Sequence, residues 1–422
     1  FNAVTEHLVY GPFGPGKTMA LASYGHLYEQ CDLLPVPELR HETPFIDYTL
    51  SLQHLLQSVP RFDVSRHPKG AEGVLDGTWV NLARQTQGLL EEDMIDLARK
   101  ALARTASRNL CLAGGVALSC VTNRRIYDSG VCDRLFIQPA SSDEGVPLGC
   151  ALAGYYINGG RCRTVMHHAY LGAANDVQGL EACLDRSGMV YRKTDDRAVA
   201  RLLAEGRIIG RVFGGAEYGP RALGNRSILA DPRRPYMTEV LNRRIKHREL
   251  FRPFAPSCHA DKVDRYFDMP VEGPFMIFAA PVRAEARSLI PAIVHVDGSC
   301  RPQTVRSDQN PEYYNLIEEF GRLTGVYCLI NTSFNDNSEP IVETYDDALA
   351  SFLTTELDHL YVDGYLVDRP QEVGAARESL VHRRTARDVE ARYDALAERY
   401  CRFDEFRRLR AELESRVASP AG

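Results

Sequence analysis

The stretch "NLCLAGGVALSCVTNRRI", residues 109–126, opens with a short apolar run, turns at Gly114-Gly115 and continues as a helical pattern. Strand, glycine turn and helix in that order form the unit of an α/β nucleotide-binding fold, because glycine lets backbone N–H groups approach a phosphate at the helix start. Upstream, residues 88–108 place Leu90, Met94, Leu97 and Ala101 on one face and Ile95, Ala98 and Leu102 on the next, which predicts an amphipathic helix. Downstream, "RLFIQPA" (134–140) predicts a strand, "SSDEG" a polar loop and "PLGCALAGYYI" a small-residue helix. Two such units in series predict a parallel or mixed sheet with helices on its faces.

The glycine-rich "NGGRCRT" (158–164) marks a domain boundary near residue 165. Beyond it the pattern predicts a helix ending at Gly206, a strand "RIIGRVFGG", a helix "MTEVLNRRIK" and strands "FMIFAAPV" and "AIVHV". A helix over 313–323, a strand "VYCLINTSF", a helix over 345–355 and "LYVDGYLVD" complete a second α/β or α+β domain, 165–370. Residues 371–422 alternate in charge and read as a solvated helical extension.

Near the start, "GPFGPGKTMA" (11–20) contains the letters G-x-x-x-x-G-K-T of a phosphate-binding loop. Pro15 removes an N–H where that loop needs donors, "EHLVY" before it is a poor strand, and the nearest strand-end aspartate, Asp363, lies far along the chain. The residues alone therefore read as a Gly/Pro-rich turn.

The 422 residues are too many for one ordinary core, and 44% hydrophobic with 25% charged residues describe a globular protein. A net charge of −6 supplies no field for a polyanion, so nucleic acid is not an expected partner. Eleven cysteines without a C-x-x-C pair, including Cys111, Cys150, Cys183 and Cys328 in apolar surroundings, read as reduced core thiols of a cytoplasmic protein rather than a disulfide framework or zinc site. No apolar run is long enough to span a membrane.

The densest polar chemistry is "GGAEYGPRALGNRSILADPRR" (214–234), with Arg221, Arg226, Arg233 and Arg234 among glycines. "IKHRELFRPFAPS" adds Lys246, Arg248 and Arg252, "HVDGSCRPQTVR" adds Arg301 and Arg306, and "INTSFNDNSEPIV" adds Asn331, Thr332, Ser333 and Asn335. Guanidinium forks bind phosphate or carboxylate bidentately, and hydroxyl and amide groups suit a small polar ligand. Clusters at several strand ends of one domain predict a shared oxyanion pocket.

"GKTMALASYG", "LCLAGGVALSCVTN", "QPASSDEGVPLG", "EYGPRALGNRSILADPR", "FRPFAPS", "HVDGSCRPQTV" and "NTSFNDNSEPIV" together resemble, in order, the NodU/CmcH/TobZ-type O-carbamoyltransferases of antibiotic and nodulation-factor biosynthesis over about residues 11–370. The resemblance implies an actin-like first domain (1–164) related to the tRNA threonylcarbamoylation enzyme, followed by a YrdC-like domain (165–370). It implies that carbamoyl phosphate and ATP become carbamoyl adenylate, whose carbamoyl group passes to a hydroxylated small-molecule acceptor. By the same likeness Arg221, Arg252 and Lys246 are catalytic, and Arg221, Arg252, Arg301, Ser333 and Asn335 hold carbamoyl phosphate. Gly114, Gly115, Val116, Asn331 and Arg226 would hold nucleotide, Asp143 would bind metal, and Mg2+ and Fe2+ are the implied ions. The family's H-x-x-x-H metal motif has no counterpart among the twelve histidines, so the N-terminal part of the first domain is expected to be absent. A tRNA-modifying enzyme and an inactive scaffold are the rival readings.

Overall fold

The computed structural model describes residues 1–10, 14–28, 56, 59–63, 70–163, 165–172, 177–336 and 339–370. The expected helical extension (371–422) lies outside them.

The first region begins with helices α1 (Asn2–His7), α2 (Pro15–Ala22) and α3 (Gly77–Ala103), then strand β1 (Asn109–Leu112), helix α4 (Cys120–Asp128), strand β2 (Arg134–Ile137) and helix α5 (Val146–Ile157). Pro15 stands at the first position of α2, where its missing N–H and fixed φ suit a helix start, so the expected turn is a helix. The 109–126 stretch folds as its pattern predicts: β1 pairs in parallel with β2, and Gly114, at φ +92°, turns the chain toward α4. Helix α3 starts well before the expected segment, capped by the Asp76 side chain accepting from Thr78 N. Of its two candidate faces, Met94, Ile95, Ala98 and Leu102 pack against Ile126 and Cys132, whereas Leu97 is 58% exposed.

Helix α5 buries no residue, and Cys111 and Cys150 are exposed. The expectation of core thiols fails at these two positions because no described element covers this part of the sheet and α5. Cys183 and Cys328 are buried as expected.

The second region contributes β3 (Tyr191–Lys193), β4 (Ile209–Val212), β5 (Arg226–Ala230), β6 (Ala255–His259), the short pair β7 (Ala280–Pro281) and β8 (Ser299–Cys300), β9 (Gln303–Val305), β10 (Cys328–Ser333), β11 (His359–Val362) and β12 (Tyr365–Asp368). Its helices are α6 (Leu180–Ser187), α7 (Asp196–Ala204), α8 (Met237–Val240, continued by a π turn), α9 (Pro311–Thr324) and α10 (Tyr345–Thr354). Eight strands form one mixed sheet in the order β3-β12-β11-β4-β5-β10-β6-β9. The β11–β12 hairpin turns on Asp363 and Gly364, both at positive φ, which matches the strands' right-handed twist. The large core cluster lies between this sheet and α6, α7, α9 and α10, with Tyr313, Phe320, Phe334 and Phe352 fully buried.

Two expected strands are not strands. In "FMIFAAPV" only Ala280–Pro281 enters a ladder, because the backbone bonds of the buried segment before it go to α4: Asn123 Nδ2 donates to Ile277 O at 2.8 Å, and Ala279 N donates to Cys120 O at 3.1 Å. In "AIVHV" a 3-10 turn spans Pro291–Ile293, with Ala292 N donating to Pro232 O at 3.1 Å. Among the described residues no helix is long and apolar enough to cross a membrane.

Gly224 holds φ +121°, and a Cβ there would lie 2.3 Å from the fully buried Tyr313 ring. Gly224→Ala is expected to destabilise the protein by about 2–5 kcal/mol through strain and overlap. The measurement is a lower urea midpoint at unchanged slope.

Candidate functional site

The loop after β4 is built to present one arginine. Glu217 Oε1 accepts from the backbone N–H groups of Leu223, Asn225 and Arg226 at 2.7, 2.7 and 3.2 Å. Gly219 and Gly224 supply the left-handed turns on either side of Arg221. Arg226, wholly buried in β5, donates to the carbonyls of Phe213, Asn225, Gly214 and Glu343 at 2.8 to 3.0 Å and closes the base of the loop.

Arg221 projects into a cavity of about 340 Å³ that is also lined by Arg248, Arg252 and Arg301. Asn331, Thr332 and Ser333 from the end of β10 form its floor, and Met19 of α2 with Cys120 of α4 closes it from the first region. Ser119 Oγ, the N-cap of α4, donates to Met19 Sδ at 3.5 Å and joins those two helices. The cavity therefore lies between the two regions of the chain.

Four guanidinium groups on its wall make it positive. Burial, then the charges of Arg301 and Arg252, lower Arg221; burial and the Arg252 charge lower Arg248. Burial lowers Arg301 as well, and for Arg252 burial and the Arg301 charge outweigh the opposing Glu249. A guanidinium keeps its proton at neutral pH, so this pressure amounts to a demand for an anion. Arg221 Nε is a buried donor without a partner among the described residues. Burial also lowers His295, which lines the same wall and whose Nε2 is buried without a partner among the described residues.

Lys246 stands behind the wall. Its Nζ donates to Ser333 O and Oγ at 3.0 and 3.2 Å and to Asn335 O and Oδ1 at 2.7 Å each, while Ser333 Oγ donates to Asn335 Oδ1 at 2.6 Å. One ammonium thus fixes two neighbouring polar side chains. Burial, with the charges of Arg248 and Arg252, brings Lys246 down to about 7.

Residues 1–152 match the family model for the carbamoyltransferase N-terminus, and residues 200–369 match that for the carbamoyltransferase C-terminus. The chain belongs to the carbamoyltransferase family. It is 37% identical over 378 residues to nodulation protein NolNO of Sinorhizobium fredii (strain NBRC 101917 / NGR234), an alignment covering 86% of the chain and 54% of that protein. It is 40% identical over 297 residues to nodulation protein NolO of Bradyrhizobium diazoefficiens, covering 68% and 54%. The chain thus spans about half the length of these two curated relatives. Full-length HypF in its phosphate- and nucleotide-bound form aligns at 18% identity and a TM-score of 0.27, covering 38% of this chain and 20% of that one, a likeness too slight to carry an argument.

Within this chain, Arg221, Arg252, Arg301, Asn331 and Ser333 meet at the cavity, and Asn335 and Lys246 support it from behind. Arg226, expected at a nucleotide, is the exception: its guanidinium is wholly buried and taken up by four carbonyls. Arg233 and Arg234 clamp the buried Asp231, and Arg306 pairs with Asp308 and Glu272 at the surface. Gly114, Gly115 and Val116 do not line the cavity, although their turn leads directly into α4, whose first residues do. Asp143 is exposed before α5, and among the described residues no three His, Cys, Asp or Glu side chains gather as metal ligands. Sequence reasoning misses the cavity roles of His295, Cys120 and α2; Arg248 is visible in "IKHRELFRPF", four residues before Arg252.

Loss of the Lys246 proton as pH rises through about 7 removes one positive charge from the wall. Sulfate, a dianion throughout this range, is expected to bind more weakly on the alkaline side of that value, by up to about tenfold for one lost charge–charge contact. Titration calorimetry across the range measures it, and Lys246→Met should flatten the dependence.

Proposed function

We propose that this chain carries the donor chemistry of an O-carbamoyltransferase, in which carbamoyl phosphate and ATP become carbamoyl adenylate and the carbamoyl group then passes to a hydroxyl of a small natural product. The observation that carries the reading is the convergence of four guanidinium groups, three of them within the family's motifs, on one small cavity with a hydroxyl and amide floor. In this reading the eight-stranded domain is YrdC-like and the region of β1, β2 and their helices belongs to an actin-like domain.

Carbamoyl phosphate is small and doubly charged. Arg221, Arg252 and Arg301 would grip its phosphate by bidentate forks, with Arg248 as a further neighbour in the positive field. The carbamoyl group has both N–H donors and a carbonyl acceptor: Asn331 Oδ1, a buried acceptor without a partner among the described residues, suits the former, as does His295 Nε2 in the tautomer that leaves it unprotonated, and the arginine forks suit the latter. Lys246 keeps Ser333 and Asn335 in place. The net exchange consumes one water and releases inorganic phosphate from carbamoyl phosphate and pyrophosphate from ATP. Fixed positive groups stabilise the charge that gathers on phosphate oxygens as those bonds break.

Nucleotide phosphates would lie against the turn of Gly114, Gly115 and Val116. A Cβ at Gly114 would meet nothing within 4 Å, which leaves that backbone open to a ligand. ATP would arrive with Mg2+, whose role is to neutralise phosphate charge. The described residues offer no ligand set for Fe2+, so no step is derived through it. The acceptor is a hydroxylated compound of the kind found in antibiotic or nodulation-factor biosynthesis.

The 422-residue protein is expected to exchange labelled pyrophosphate into ATP only when carbamoyl phosphate is present. Arg252→Ala and Arg301→Ala should each lower that exchange by about 10²-fold or more. No exchange by the unaltered chain, or exchange that ignores carbamoyl phosphate, would overturn the reading.

A further inference from the structure

Arg252 faces one carboxylate, that of Glu249, and the pair is loose: Arg252 NH1 to Glu249 Oε2 is 3.8 Å, beyond hydrogen-bond range. The reason is a third charge. Lys17, on α2 in the first region, holds Glu249 Oε1 at 2.8 Å across 232 positions of sequence. Glu249 Oε2, the oxygen turned toward Arg252, is buried and has no hydrogen-bond donor among the described residues. The Lys17 and Glu249 side chains are only 22% and 15% exposed, so solvent screens this triad weakly. Burial alone would raise the Glu249 carboxyl; the hydrogen bond and charge of Lys17, with Arg252, leave it below its ordinary value, so it is an anion at neutral pH. Beside it Phe251 is buried in the core of α1, α2 and α3, which fixes the backbone between Glu249 and Arg252.

A buried carboxylate next to two cations is shared between them, and what one gives up the other takes. Were Lys17 absent, Glu249 would close on Arg252 as a tight ion pair, turning the fork from the cavity and cancelling its charge.

We propose that Lys17 is a positioning residue for the carbamoyl phosphate site, acting from the first region by holding Glu249 away from Arg252 so that the Arg252 guanidinium stays available to an anion. The inference rests on the donor chemistry proposed above. It assigns the lysine of the G-K-T letters a purpose unlike that of a phosphate-binding loop, since its ammonium meets a carboxylate.

The test is a suppressor experiment on the 422-residue protein. Affinities for carbamoyl phosphate and for inorganic phosphate are measured by titration calorimetry on the unaltered chain, Lys17→Met, Lys17→Arg and the double variant Lys17→Met/Glu249→Gln, with thermal melts confirming that each is folded. Lys17→Met is expected to weaken both anions about tenfold, the size of one displaced charge contact. Lys17→Arg should keep the original affinity, and the double variant should regain it to within about threefold, because an amide has no charge with which to capture Arg252. A double variant as weak as Lys17→Met, or a Lys17→Met protein that binds like the unaltered one, overturns the positioning role while leaving the donor site intact. Failure of the unaltered chain to bind either anion overturns the donor site itself and this inference with it.

Discussion

Like charges in a half-buried cavity push one another apart: two of them 4 Å apart at an effective dielectric of about 20 repel by about 4 kcal/mol, falling inversely with distance. Arg221, Arg248, Arg252 and Arg301 share such a cavity. Much of the surrounding structure opposes that repulsion. Glu217 and Arg226 tie the Arg221 loop through its backbone, leaving the Arg221 side chain uncommitted. Arg248 is braced by Asn242 Oδ1 at 2.7 Å and lies over the Phe254 ring. Glu249 offers Arg252 partial compensation without closing on it. The arrangement keeps positive charge in reserve.

The amino-acid sequence makes part of that reserve legible. Arg221, Arg252 and Arg301 each stand beside a proline or glycine turn close to a strand, where a side chain has a fixed direction and little room to join a helix surface. The same rule misleads at Arg226, which sits in the same glycine-rich run yet belongs to a strand, so its side chain turns inward. Periodicity finds α7 to α10 and the strands β4, β10, β11 and β12 of the eight-stranded domain, and misses α6, β5 and β6. It fails on "FMIFAAPV" because a buried apolar run need not be a strand when another helix supplies its backbone partners. Exposure of Cys111 and Cys150 is illegible for a related reason: composition says that a residue is apolar, and only the neighbouring elements decide whether anything covers it.

The least legible feature is the contribution of α2 and α4. No local pattern announces that Met19 and Cys120 will close a cavity whose charged residues lie more than a hundred positions further on. Long-range contact of that kind is set by the way "LFRPF" crosses between regions: Phe251 enters the core of the first three helices and Arg252 enters the cavity, adjacent residues serving two different compartments. Membership of one family by both segments, 1–152 and 200–369, is consistent with their sharing a wall.

The Phe251–Arg252 step also bears on how such a protein can diversify. Apolar packing around an aromatic ring tolerates little drift in the three helices that enclose it, since a shift of α1, α2 or α3 is carried through one peptide unit to a guanidinium. Exchanging the leading segment for that of a relative would therefore retune the arginine-lined cavity at the same stroke, which ties the inheritance of the two halves together.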